Sequence, residues 1–120
     1  MKRILLVDDA ETILTLEKMV LGDHYDIVTA CNGSEAVDRA SAEKPDLILM
    51  DLMMPKMSGL DACRALQRQG DTRSIPIIMV TTRSEQELVQ EALLAGCLDY
   101  VTKPIDSVEL LAKVRNILGE

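Results

Sequence analysis

The chain has 120 residues, the length of one domain, and 48% of them are hydrophobic, so a buried core is expected and disorder is not. It contains no Phe, no Trp and only two tyrosines, Tyr25 and Tyr100, which argues against a module that stacks nucleic-acid bases on aromatic rings. Thirteen basic residues against twenty acidic ones leave a formal charge of −7, which repels phosphate backbones and anionic lipid and fits simple solubility, a cation site or a basic partner.

The three cysteines, Cys31, Cys63 and Cys97, form no CxxC pair. Each lies in an apolar stretch, so buried free thiols and a reducing, cytoplasmic setting are expected. Only four apolar residues follow Met1-Lys2-Arg3 before Asp8, too few for a signal-peptide core. No run approaches the roughly 18 apolar residues of a membrane span. His24, in a Gly-Asp-His turn, is expected to be solvated.

Short apolar runs alternate with helical patterns, and residues 1–120 read as a single domain. Residues 4–7 form an aliphatic run that ends on Asp8. Residues 11–21 carry apolar side chains at 13, 16 and 20, a helical stripe that Gly22 can cap. Residues 25–31 are β-rich and close on Asn32-Gly33. Ser34 can cap a short helix through Ala42, ended by Pro45. Residues 47–50 form the third aliphatic run and end on Asp51. A loop with Met53, Met54, Pro55 and Met57 follows, which reads as apolar packing and not as a metal site. Ser58 or Gly59 then opens a helix with Leu60, Cys63 and Leu66 on one side. Residues 77–80 form the fourth run and end on Thr81. Ser84 can cap a helix to Ala95, with Glu85 and Glu87 favouring its N-terminal dipole and Gly96 ending it. A short run around Tyr100 and Val101 precedes Lys103-Pro104. Asp106 or Ser107 caps a last helix with Val108, Leu111, Val114 and Leu118 facing inward.

That is a strand–helix unit five times over. Strands that are apolar throughout are buried on both faces, which predicts an α/β fold with a parallel sheet covered by helices. Right-handed crossovers favour a doubly wound sheet of order 2-1-3-4-5. A parallel sheet delivers the C-terminal ends of all its strands to one edge. Those ends carry Asp8-Asp9, Asp51, Thr81-Thr82 and Lys103, and only the second ends without an ionisable group. Each residue taken singly has a plainer role: an N-cap, a turn threonine, a loop Lys-Pro. Together on one edge they read as a site. Three converging carboxylates repel one another, and a hard cation, Mg²⁺ (or Mn²⁺), relieves that. A carboxylate, a cation, an ammonium and a hydroxyl around one point suit phosphoryl transfer to the carboxylate. Asp51, alone at its strand end, is the expected nucleophile, and Asp8-Asp9 the expected metal pair.

The segments ILLVDDA (4–10), LILMDLMMPKMSGLD (47–61), PIIMVTT (76–82) and AGCLDYVTKPI (95–105) resemble the response-regulator receiver domain of two-component signal transduction. The resemblance covers residues 4 to about 118 and implies a flavodoxin-like (βα)5 fold. It implies that Asp51 accepts a phosphoryl group from a histidine kinase or histidine phosphotransfer protein. It implies Mg²⁺ on Asp9, Asp51, the Met53 backbone carbonyl and, through water, Asp8. It further implies that Thr81 and Lys103 hold the phosphoryl group, that Thr81 and Tyr100 form the switch pair, and that the bond before Pro104 is cis. Met53 and Arg83 stand where the family tunes phosphoryl lifetime, and Ile13 where a kinase docks. The expected module is a signalling switch with only autophosphorylation and autodephosphorylation activity. It reads out through its 4-5-5 surface (fourth helix, fifth strand, fifth helix) to a downstream protein, an output domain or a phosphorylation-dependent homodimer. It contacts neither nucleic acid nor membrane directly.

Thr82, Ile105 and Cys97 depart from the commoner family residues. Met53 offers no side-chain group to orient an attacking water, which favours a long-lived phosphoryl group. The fourth helix has Glu85, Glu87 and Glu91 but no Lys or Arg, unlike the dimer face of many DNA-binding regulators. A Mg²⁺-dependent phosphatase with an aspartyl nucleophile is a competing reading, but it usually has a second acid at position 53. A flavin carrier would need a phosphate loop where Asp8-Asp9 stands. A receiver that acts without phosphorylation is a further alternative. The chain is either a stand-alone messenger or the N-terminal part of a longer regulator.

Overall fold

Each apolar run of the sequence becomes a strand of one sheet. The computed structural model describes residues 1–120. Its elements in chain order are β1 (Arg3–Val7), α1 (Glu11–Leu21), β2 (Asp26–Ala30), α2 (Gly33–Glu43), β3 (Leu47–Asp51), α3 (Gly59–Arg68), β4 (Ile77–Thr81), a 3₁₀ turn (Arg83–Glu85), α4 (Gln86–Ala95), β5 (Asp99–Thr102) and α5 (Ser107–Leu118). The five strands are parallel in the order β2-β1-β3-β4-β5. No helix is long and apolar enough to cross a membrane.

The three inner strands, β1, β3 and β4, are buried almost throughout, and the edge strands β2 and β5 less so. Alternate residues of the inner strands feed two separate cores. Leu5, Val7, Ile48, Met50, Ile77 and Met79 pack with α2, α3 and α4. Ile4, Leu6, Leu47, Leu49, Ile78 and Val80 pack with α1 and α5. Tyr25 is the one aromatic side chain that is fully buried. Burial and its contact with Glu120 push its hydroxyl up to about 12.

Several local expectations are corrected. The fully buried residues of α1 are Glu17 and Leu21, and Leu14 and Val20 pack half-buried against the same core, so of the 13, 16 and 20 stripe only Val20 joins it. Ile13 and Val20 are half-buried and Leu16 exposed. This helix is apolar on two sides, and the point where the chain leaves the sheet at Asp9-Ala10 decides which side turns inward. On α5, Val108 is 78% exposed and Leu110 takes its inward place, because Asp106 caps the helix and leaves Val108 on the open first turn. Asn32, not Ser34, caps α2, accepting from the Glu35 N–H at 2.8 Å. Ser84 does not cap α4, since a 3₁₀ turn precedes the helix and the Thr82 N–H donates to the Glu85 carboxylate at 2.9 Å. Gly22 follows α1 in a right-handed conformation, whereas Gly96 ends α4 at φ 117°, where a side chain would be strained. Cys63 and Cys97 are buried free thiols, and burial pushes Cys97 up to about 12. Cys31 is exposed instead, beside the Glu35 carboxylate. Met53 is 47% exposed, unlike its neighbour Met54 in the core.

The cap assignment is testable by urea denaturation. Asn32→Ala should cost about 1 kcal/mol and Ser34→Ala close to nothing; equal losses would return the cap to Ser34.

Candidate functional site

Strand register builds the site. Val7 pairs with Met50 and Asp51 with Val80, so Asp8, one step past Val7, comes level with Asp51. Thr81 pairs with Thr102, which brings Lys103 to the same edge. One oxygen each of Asp8, Asp9 and Asp51 lie within 4.8 Å of one another. Asp8 is 1% and Asp51 5% exposed, while Asp9 faces solvent. The Lys103 Nζ sits 3.2 Å from Asp8 Oδ2 and 3.5 Å from Asp51 Oδ1. The Lys103–Pro104 peptide bond is cis, and the Lys103 N–H donates to the Thr81 carbonyl at 2.6 Å.

Close approach on the other side of β3 depends on Gly59. Its N–H donates to the Leu52 carbonyl at 2.8 Å. A Cβ there would lie 2.1 Å from the Asp51 carbonyl oxygen, so only glycine lets the loop return against the strand that carries Asp51.

The electrostatics follow from burial. Burial first, and the Asp8 charge next, push the Asp51 carboxyl from 3.8 up to about 7, with Lys103 opposing. Burial pulls the Lys103 ammonium down, but Asp51 and Asp8 more than offset it, so its pKa stands above the ordinary value. Oδ1 of Asp8 accepts from the Ala10 N–H at 2.9 Å. Oδ2 is buried and has no aligned hydrogen bond, although Lys103 lies at ion-pair distance. The Met53 carbonyl accepts no hydrogen bond from backbone or side chain. A crowded set of oxygens with an orphaned buried carboxylate oxygen and a free carbonyl fits a hard divalent cation of the Mg²⁺ type.

The other expected residues fall around this centre. Thr81 is fully buried, and its Oγ1 accepts from the Gln86 amide at 3.3 Å; the same amide donates to the Thr82 carbonyl at 3.2 Å. Gln86 was not expected from the sequence. Tyr100 is half-buried with its hydroxyl unbonded, and the Lys113 ammonium lies 5.4 Å from its ring centroid and 2.6 Å from its carbonyl oxygen. Met53 and Arg83 stand exposed two residues beyond Asp51 and Thr81. Ile13 is remote from the carboxylates, half-buried on α1. Next to it, Leu16, Met19 and Val20 line an apolar groove of about 430 Å³ with Ser107, Val108 and Leu111 of α5.

One ionisable residue behind the site was missed. Glu17 of α1 is 1% exposed, among the apolar residues of the α1–α5 core, and its Oε1 has no partner. Burial, then the charge of Asp8, push its carboxyl from 4.5 up to about 8; Lys103 opposes and Asp51 adds. The signal lay in the 14, 17, 21 spacing, which offers an alternative inward face with an acid in its middle.

The fold is a parallel doubly wound sheet with an acid cluster, a lysine and a threonine at its strand ends. The family model for the response regulator receiver domain matches residues 4–115, and the chain belongs to that family. Over 118 residues it is 42% identical to the alkaline phosphatase synthesis transcriptional regulatory protein PhoP of Bacillus subtilis, which covers 98% of this chain and 48% of that protein. It is 38% identical over 120 residues to the protein PilH of Pseudomonas aeruginosa, covering 99% of each. Its fold superposes with a TM-score of 0.91 on the receiver domain of a Pseudomonas aeruginosa sensor histidine kinase with magnesium coordinated in its active-site cleft, at 32% identity, covering 99% of this chain and 98% of that one. The chain thus spans about half the length of the Bacillus regulator. It is a response regulator receiver domain, a signalling module.

The raised Glu17 carboxyl makes stability depend on pH. The folded chain keeps a proton that the unfolded chain releases above 4.5, so stability falls as pH rises from 4.5 to about 8. In chelator, Glu17→Leu should reduce that decline, leaving the part that the raised Asp51 carboxyl contributes up to about pH 7, and exceed wild type at pH 8 by about 1–3 kcal/mol in urea denaturation. A less stable Glu17→Leu at pH 8 would contradict it.

Proposed function

We propose that Asp51 is the phosphoacceptor and that Asp8, Asp9, Asp51 and the Met53 carbonyl hold Mg²⁺. The observation that carries this reading is the buried Asp51 carboxyl, level with Asp8 and 3.5 Å from the Lys103 ammonium. The donor is a phosphohistidine of a histidine kinase or phosphotransfer protein. An Asp51 oxygen bonds to phosphorus while the P–N bond breaks, and the imidazole keeps the electron pair and takes up a proton. When bound, Mg²⁺ neutralises charge on the transferred group. Lys103 moves from the two carboxylates to the new phosphoryl oxygens. Ile13 and the apolar groove beside it give the donor a docking face.

Phosphorylation adds about −1.5 to −2 charge and strong acceptors. The Thr81 hydroxyl donates to them by turning away from Gln86. That opens space for Tyr100. The two conformers exchange as a population, shifted only by their difference in stabilisation. The surface of α4, β5 and α5 then changes, and Leu94 and Leu98 stand exposed where a downstream protein, an output domain or a second copy would read it.

Acetyl phosphate with Mg²⁺ tests the assignment. Intact-mass measurement should find one phosphate on wild type and none on Asp51→Asn or after EDTA; undiminished uptake by Asp51→Asn rejects it. With Met53 unable to orient water and Arg83 at the rim, the phosphoryl group should persist for minutes or longer in purified protein. Loss within seconds would remove that role for positions 53 and 83.

A further inference from the structure

The backbone of Thr81 is tied to β5. It pairs with Thr102, and its carbonyl accepts from the Lys103 N–H at 2.6 Å. Only the side chain is left to move. That side chain is fully buried, and its hydroxyl oxygen has one protein partner, the Gln86 carboxamide at 3.3 Å. A buried hydroxyl without a partner is costly, so Gln86 is what makes this position of Thr81 tolerable. Gln86 itself is exposed at the start of α4 and fills no core. A glutamine amide has two hydrogens to donate, and both point at the end of β4, the second to the Thr82 carbonyl at 3.2 Å. The carboxamide thus closes the 3₁₀ turn at Arg83–Glu85 back onto the strand it left. A Thr81 hydroxyl that turns toward a new acceptor gives up Gln86, whereas Gln86 has solvent to replace it. The contact exists in one conformer of Thr81 only, and such a contact biases the equilibrium between conformers.

We infer that Gln86 is a latch on the switch, a positioning residue that stabilises the unphosphorylated conformer through the Thr81 hydroxyl and so lowers the fraction of chains ready to receive a phosphoryl group. The inference rests on the proposed roles of Asp51 and Thr81. It makes position 86, outside the acid pocket, a determinant of how readily the resting chain switches.

Calorimetric titration of the full chain with beryllofluoride and Mg²⁺, a stable stand-in for the phosphoryl group, tests it. A ligand that needs a partly populated conformer binds in proportion to that population. Loss of the bond to Thr81 in Gln86→Met should therefore tighten the apparent affinity about two- to tenfold. Gln86→Ala should do the same, and the exposure of Gln86 lets both variants fold. Gln90→Met, the same replacement at an exposed position one turn along α4, should leave the affinity unchanged. With the hydroxyl removed in Thr81→Ala, adding Gln86→Met should no longer tighten binding. An affinity of Gln86→Met equal to or weaker than wild type overturns the inference. So does an equal gain in the Thr81→Ala background, which would place the effect elsewhere on α4. In either case Asp51→Asn still takes up no beryllofluoride and the phosphoacceptor assignment stands. Binding undiminished in Asp51→Asn instead overturns that assignment and the inference with it.

Discussion

The structure turns on the forced proximity of two buried carboxylates. A parallel sheet brings all its strand ends to one edge, and the adjacency of β1 and β3 sets Asp8 beside Asp51 where water is scarce. Two negative charges in that setting are costly unless cations share it. Lys103 supplies one positive charge within 3.5 Å of both. The raised Asp51 carboxyl reports what remains uncompensated. A site in that condition favours anything that delivers positive charge.

Local sequence devices keep this arrangement tight. Gly59 lets the loop after β3 return against the Asp51 carbonyl. The Lys103 N–H bonded to the Thr81 carbonyl couples the ends of β4 and β5, so the hydroxyl and the ammonium move on a shared frame. Gln86, on the first turn of α4, holds the Thr81 hydroxyl. The proposed switch therefore works against a specific hydrogen bond, and α4 senses it directly. At the opposite side, α1 carries a buried acid on its inner face and an apolar groove on its outer one.

Core chemistry explains why so few aromatics suffice. Leu, Ile, Val, Met and Ala fill both layers, and the fully buried inner strands need no large rings to cover them. Tyr25 lies just before β2, and its hydroxyl donates to the Glu120 carboxylate at 2.5 Å. Tyr100, by contrast, is half-buried at the edge of the other core.

Much of this was legible in the residues alone. Uninterrupted aliphatic runs identify inner parallel strands, because only burial on both faces tolerates them. Their last residues then name the acids, the threonine and the lysine of the site. Helix phase was not legible in the same way. The first helix is apolar on two sides, so hydropathy alone does not say which side is buried. Caps were ambiguous wherever two polar residues stood close together, as with Asn32 and Ser34, or where a 3₁₀ turn replaced the first helical turn. Sequence by itself determined the strand order, the converging strand-end chemistry and the family, because these depend on local pattern and chain connectivity. Only the tertiary structure decided that Glu17 turns inward and that Gln86 holds Thr81, because both depend on how helices seat against the sheet.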